Sequence, residues 1–259
     1  RDWSSDVCSS DLDAFHLQKL LTRYGTILAL VILCAGFSFA VPGFAARENA
    51  MNILRQIALL AVISEGFTMC LIVGELDLAF PHIASLSGAL VAGLIFGGTA
   101  PLPAVLLSLA AGLLFGIAAG LLVTKIGIPS LITTLATGII AGGMVYMYTR
   151  GVSFYGQMPP AFLSLGRGMV GPIPSLVVIM FVVVVAAQVM ISCTRVGKYM
   201  QATGANQAAS RLAGIATDRY KVLALSLSGL AAAFTGILLT SRLGSANPEG
   251  ASGFMMDAF

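Results

Sequence analysis

Charge is scarce in this chain. Of its 259 residues only 10% are Asp, Glu, Lys or Arg, while 58% are hydrophobic and the mean hydropathy is +0.94. A soluble domain carries about 25% charged and about 45–50% apolar residues, so this sequence lacks the charge to cover a water-facing surface of its size. A soluble enzyme, a disordered tail and a nucleic-acid binder all fit poorly. Histidine is nearly absent. His16 and His82 lie in different segments, which removes the HExxH zinc arrangement and leaves little room for a Ser/His/Asp site. Neither a GxxxxGK(S/T) phosphate loop nor a GxSxG nucleophile turn occurs, so ATP is not bound and hydrolysed by that route. Four cysteines, Cys8, Cys34, Cys70 and Cys193, make no disulfide framework. They read as buried small hydrophobes.

What is present is apolar length. A bilayer core of about 30 Å needs roughly 20 apolar residues as a helix, and seven stretches qualify: 24–41, 53–73, 82–98, 102–123, 130–149, 173–193 and 222–241. They are continuous and rich in Leu, Ala and Gly, without the alternation of a barrel strand, so helices are expected. The fold class is an all-α polytopic transmembrane bundle. Turn residues separate the runs, among them Pro42-Gly43, Gly97-Gly98, Pro129 and Pro159-Pro160. The first twelve residues, RDWSSDVCSSDL, match nothing in the rest of the chain and read as a non-native leader. The membrane-spanning domain is expected over 13–259. The apolar opening at 253–259 stops abruptly, so the chain reads as a piece of a longer protein.

Seven crossings divide the connections into two sets. Lys19, Arg23, Lys125, Arg195, Lys198, Arg211, Arg219 and Lys221 fall on one side, and Arg47, Arg55, Arg150, Arg167 and Arg242 on the other. The excess of eight over five places the N-terminus and the long sixth connection in the cytoplasm by the positive-inside rule.

Polar residues interrupt the apolar runs at a few places. Gly74-Glu75-Leu76-Asp77-Leu78-Ala79-Phe80-Pro81-His82 breaks spans two and three, and Glu65 stands inside the second run. A charge at bilayer depth is costly and normally faces a protein or water-filled interior. The break reads either as the lining of a transport pathway or as a short loop in which Asp77 caps the third helix. Glu65 reads as pathway lining or as a helix–helix hydrogen-bond partner. Thr133, Thr134 and Thr137 in the fifth span, with Ser226 and Ser228 in the seventh, either line a polar path or bond back to their own helices. Gly112, Gly116 and Gly120, like Gly138 and Gly142, lie four apart and read as helix-packing surfaces.

The most informative stretch is 194–221, TRVGKYMQATGANQAASRLAGIATDRYK, too polar for lipid and too long for a turn. Asn206 is placed to cap a short helix of good or tolerable helix formers that Gly214 would end. Leu212 and Ile215 add apolar contacts beside Arg211, Arg219 and Lys221. A short cytoplasmic helix with a small-residue face suits docking into a groove on a partner; a solvated loop is the plainer alternative.

Within this loop ATGANQAASRLAGI, and beyond it DRYKVLALSLSGLAAAFTGILLTSRLGSANPEGASGFMMDA, resemble the permeases of ribose-type ABC sugar importers. GELDLAFPHIASLSGALVAG resembles that family's glycine–carboxylate–Asp–Leu break, and GLLVTKIGIPSLITTLATGIIAGG its Lys-Ile-x-Ile-Pro and Thr-Leu-x-Thr segments. The likeness runs from about Leu20 to the end. It implies a ten-helix permease working as a dimer, of which about three final helices are missing here. It implies cytoplasmic ATP-binding subunits as partners, a periplasmic sugar-binding protein, and no cofactor or metal in the permease itself. Carried over by position, the coupling helix for the ATPase uses Gly204, Asn206, Ala208, Ala209, Arg211, Gly214 and Ile215. Gln207 stands where the family commonly has an acidic residue. Ala79 and Pro81 replace Ser and Gly in the break, and Gly142-Gly143 replaces a frequent Arg-Gly pair. Glu65, Asp77, Thr133 and Thr134 remain candidate pathway residues. A gradient-driven carrier, with Glu65, Glu75 and Asp77 as its carboxylates, and a branched-chain amino-acid permease are the alternatives.

Overall fold

A computed structural model describes residues 25–258. The leader-like residues 1–12 with Cys8, and His16, Lys19 and Arg23, lie outside the described residues. The chain divides into two compact units, residues 1–53 and 54–259. In the first unit the described part is helix α1 (Gly25–Ala40), a turn with Gly43, and the opening of α2 (Arg47–Ile72). Ser38 of α1 donates back to the Cys34 carbonyl at 2.7 Å, which satisfies its hydroxyl inside an apolar helix.

Among the described residues, the second unit holds the rest of α2 and the helices α3 to α11. These are α3 (Phe80–Phe96), α4 (Pro101–Leu121) continued by a π-helical turn (Leu122–Ile126), α5 (Ser130–Thr149) and α6 (Pro160–Arg167). Then come α7 (Ser175–Cys193), α8 (Arg195–Ala205), α9 (Gln207–Leu212), α10 (Thr217–Leu243) and α11 (Phe254–Ala258). Proline sets several starts: Pro101 and Pro160 open α4 and α6, and Pro129 and Pro174 directly precede α5 and α7. Its fixed φ and missing N–H suit the first helical turn and disfavour helix in the residue before it. Each of the seven apolar runs carries a helix. Five are long and apolar enough to cross a bilayer, while α1 and α3 are shorter. With 17 residues α3 spans about 25 Å; the extended break before it adds length.

Helix α10 is the central packing element, buried along most of its length. Glycine makes its contacts close. A Cβ at Gly116 would strike the main chain of Leu225 and Ser226, one at Gly120 the Cα of Val222, and one at Gly229 the Gly112 carbonyl. The α4 glycine stripe is therefore a packing surface, as its spacing implied. On another side Gly236 lies against Ala84 of α3 and Gly88 against Thr240. Gly138 and Gly142 are a packing surface as well, accepting the His82 ring of α3 against α5, with Gly138 also close to the Ala79 main chain.

Among the described cysteines the expectation holds for Cys70, which is buried; Cys34 and Cys193 are exposed. In a membrane bundle the outward surface is apolar too, so a small apolar residue is stable on either side. Helix α7 shows the same principle: only Leu176 of its 19 residues is buried, and Phe181, Val182 and Val185 point outward.

Side-chain contacts sort the unit into two ends. At one end are the 74–79 break, the starts of α5 and α10, and α8 with α9. At the other, β1 (Phe154–Tyr155) pairs antiparallel with β4 (Ser245–Ala246), and β2 (Met169–Val170) with β3 (Ile173–Pro174). There Arg167 donates from Nε to the Arg242 carbonyl at 2.7 Å and from Nη2 to the Leu243 carbonyl at 2.6 Å. Those carbonyls end α10 and have no partner within the helix.

Candidate functional site

The 194–221 loop folds into two helices rather than one. Thr194 caps α8, its Oγ1 accepting from the Gly197 N–H at 3.2 Å. Asn206 ends α8 and caps α9, its Oδ1 accepting from the Ala209 N–H at 3.0 Å. Gly214 ends α9 in the left-handed region at φ 81°, where the Gly214 N–H reaches the Arg211 carbonyl and the Ile215 N–H the Ser210 carbonyl. This paired arrangement is a Schellman stop, which requires a positive φ that glycine adopts without a Cβ penalty. The helix spans Gln207–Leu212, between the expected Asn206 cap and the Gly214 stop.

One face of α9 is anchored and the other is open. Ser210 is buried and donates from Oγ to the Ala202 carbonyl of α8 at 2.7 Å. Ala208, Ala209 and Leu212 are exposed, Leu212 to 92%. A large apolar side chain so fully in water on a rigid helix is an unfilled contact. Arg211 bends back instead, donating from Nε to Thr217 Oγ1 at 2.9 Å and from Nη2 to Asp218 Oδ1 at 2.6 Å. It thereby holds α9 to the first turn of α10. Ile215 is half-buried behind the stop. Gly204 has a packing role, since a Cβ there would collide with the Ile72 carbonyl at the end of α2.

Beneath this loop lies the break. Gly74, at φ 80°, ends α2 as Gly214 ends α9: its N–H bonds Leu71 and the Glu75 N–H bonds Cys70. Glu75 is buried and ion-paired with Lys221 of α10, Oε1 to Nζ, at 2.5 Å. The Leu76 N–H donates to Ser130 Oγ at 3.2 Å. Asp77 is buried, accepts from the Ala79 N–H at 2.8 Å, and faces Ser228 of α10. It holds the residue that caps α3 rather than bonding the interior of the helix, whose cap carries no side-chain bond.

The structure brings Asp77 and Thr134 together at the break but places Glu65 elsewhere. Thr134 is at the break, its Oγ1 donating to the Ser130 carbonyl at 2.8 Å and reaching the Leu76 carbonyl at 3.3 Å. Thr137 and Ser226 also bond back to their own helices. Thr133 Oγ1 is buried without a hydrogen-bond partner among the described residues, and Ser228 lies against Asp77. Glu65 stands apart from these groups. It lines a cleft of about 400 Å³ between α2, α7 and α10, whose other walls include Val62, Met69, Val183, Leu230 and Phe234. Among the described residues no three His, Cys, Asp or Glu side chains group closely enough to hold a metal.

Sequence reasoning did not single out α8, the Ser210 anchor or the Glu75–Lys221 pair. The Thr194 cap and the opposite charges of Glu75 and Lys221 are visible in the sequence, but 146 positions separate that pair and nothing local matches them.

Residues 49–259 match the family described as branched-chain amino acid transport system / permease component. The chain is 36% identical over 244 residues to the ribose import permease protein RbsC of Bacillus subtilis, covering 94% of this chain and 76% of that protein. It is 32% identical over 258 residues to the RbsC of Haemophilus influenzae, covering 97% and 79%. To the L-arabinose transport system permease protein AraH of Escherichia coli it is 28% identical over 253 residues, covering 93% and 73%. No solved structure matches the chain.

Proposed function

Because this chain belongs to the branched-chain amino acid transport system permease family, we propose that it is the membrane-spanning permease subunit of an ABC importer for a monosaccharide of the ribose, xylose or galactose kind. The names of its relatives support sugar over amino acid, since those matched across nearly the whole chain include ribose and arabinose permeases. On this reading the subunit is not itself an enzyme. A separate cytoplasmic ATP-binding subunit hydrolyses ATP, a periplasmic binding protein delivers the sugar, and a second permease copy completes the pathway in the inner membrane. The domain is residues 13–259, with a cytoplasmic N-terminus and the coupling loop 194–221.

The observation that carries this reading is α9. It is rigid by its Asn206 cap, Gly214 stop and Ser210 anchor, and it offers an open face of Ala208, Ala209 and Leu212 to a partner groove. In the proposed cycle, closure of the ATPase pair moves α9 as a lever and alternates access between the two faces. Gly204, Asn206, Arg211, Gly214 and Ile215 would then maintain the lever's shape and seat.

The test is uptake by proteoliposomes holding the permease with its ATP-binding subunit and binding protein. Radiolabelled D-ribose, D-xylose and D-galactose are compared with L-leucine. ATP-dependent entry of a sugar is expected. Leucine entry would favour the amino-acid alternative, and entry driven by a proton gradient without ATP would replace the importer with a carrier.

A further inference from the structure

We propose that the Glu75–Lys221 ion pair is the positioning link by which movement of α9 reaches the membrane break; this rests on α9 being the coupling helix. The geometry forms a continuous polar string. Arg211 of α9 grips Thr217 and Asp218 in the first turn of α10, at 2.9 and 2.6 Å. One turn along α10, on the same side of the helix, Lys221 meets Glu75 at 2.5 Å. The side chains are only 15% and 9% exposed, so the pair is little screened by water.

From Glu75 the string enters the bundle residue by residue. Leu76 is held by Ser130 and Thr134 at the start of α5. Asp77 holds Ala79, the residue that opens α3. A displacement of Glu75 is therefore applied to the beginnings of two membrane helices at once. The segment between them has no helical hydrogen bonds of its own to resist it.

A second contact joins the loop to α2, but it differs in kind. Gly204 abuts the Ile72 carbonyl with no room for a Cβ. Such a van der Waals contact resists approach and offers almost nothing against separation. The ion pair resists both. Among the described residues it is the element on this end that lets α9 pull the break as well as push it, which a cycle that closes and resets requires.

The test uses the complete transporter in proteoliposomes, with its ATP-binding subunit, its binding protein and radiolabelled D-ribose. The double variant Glu75→Gln/Lys221→Met removes the link while leaving no unpaired buried charge, so folding is retained. It should lower the sugar transported per ATP hydrolysed by about threefold or more, with ATP hydrolysis itself continuing. The swapped variant Glu75→Lys/Lys221→Glu should recover most of that ratio. A packing role would reduce transport and hydrolysis together and leave their ratio unchanged. An unchanged ratio in the double variant, or no recovery on swapping, overturns the proposal. Ala209→Pro separates it from the reading beneath: if that change spares stimulation of ATP hydrolysis by the loaded binding protein, α9 is not the coupling helix.

Discussion

Ser210 of α9, itself buried, donates its hydroxyl to the Ala202 carbonyl in the last turn of α8 at 2.7 Å. That bond turns two short helices into one corner. Neither α9, at six residues, nor α8, at eleven, would persist alone, because isolated helices below about 12–15 residues are marginal. Ser210→Ala should cost about 1 kcal/mol locally. Hydrogen exchange of the α9 amides should accelerate while the membrane helices keep their protection. Unchanged exchange across 207–212 would show that the anchor is not the serine.

Proline at 209 attacks the same helix from inside. Ala209 supplies the N–H that Asn206 caps, and proline has none to give. It also drives Ala208 away from helical backbone angles. Ala209→Pro should unwind α9, leave the spans folded, and bring ATP hydrolysis with loaded binding protein down to its basal rate. The assay is ATPase activity of the reconstituted transporter with and without that protein.

The left-handed stop can be probed by residue type. Gly214→Ala places a Cβ at φ 81° and should cost about 1–2 kcal/mol, whereas Gly214→Asn should cost less, since asparagine tolerates that region. Coupling efficiency should follow the order Gly, Asn, Ala. A ranking of Ala above Asn would remove the backbone argument.

Close packing makes a sharper prediction in the membrane. Gly236→Val inserts atoms where the Ala84 main chain already lies, while Gly143→Ala meets nothing within 4 Å. The first should destabilise by about 3 kcal/mol, the upper end for overpacking, and the second should be neutral. Thermal unfolding in detergent measures both, and equal losses would contradict the packing of α3 on α10.

At the opposite end Arg167 supplies donors to the terminal carbonyls of α10. Arg167→Lys keeps the charge but loses the planar fork. Discounted for exposure, the loss should be about 1 kcal/mol, seen as earlier melting with transport intact at low temperature. Melting as late as in the wild type would make those two bonds incidental.

Local chemistry makes much of this protein legible in its sequence. Continuous apolar runs locate the helices because a bilayer leaves the backbone no other way to bond itself. Four-residue glycine spacing identifies the α4 face because one helical turn brings those positions together, and Asn206 with Gly214 bounds α9 because caps act within three or four residues. Boundaries slip where the competing forces are not local: α2 starts at Arg47 rather than 53, and α10 at Thr217 rather than 222. The polar first turn of α10 is stabilised by Arg211 and by Lys221 meeting Glu75, which hydropathy does not register.

The sequence by itself determined the class of molecule, which apolar runs among the described residues form helices and the ends of the loop helix, since each depends on neighbours along the chain. Only the tertiary structure decided that Glu75 is paired while Glu65, inside α2, faces an apolar cleft. It likewise decided that Gly204 is there for the Ile72 carbonyl, and that Cys193 faces outward while Cys70 does not. The reason is physical: which partner a buried charge or a bare Cα meets is set by elements far away in sequence, and apolar residues are as stable against lipid as against protein, so composition leaves their side undetermined.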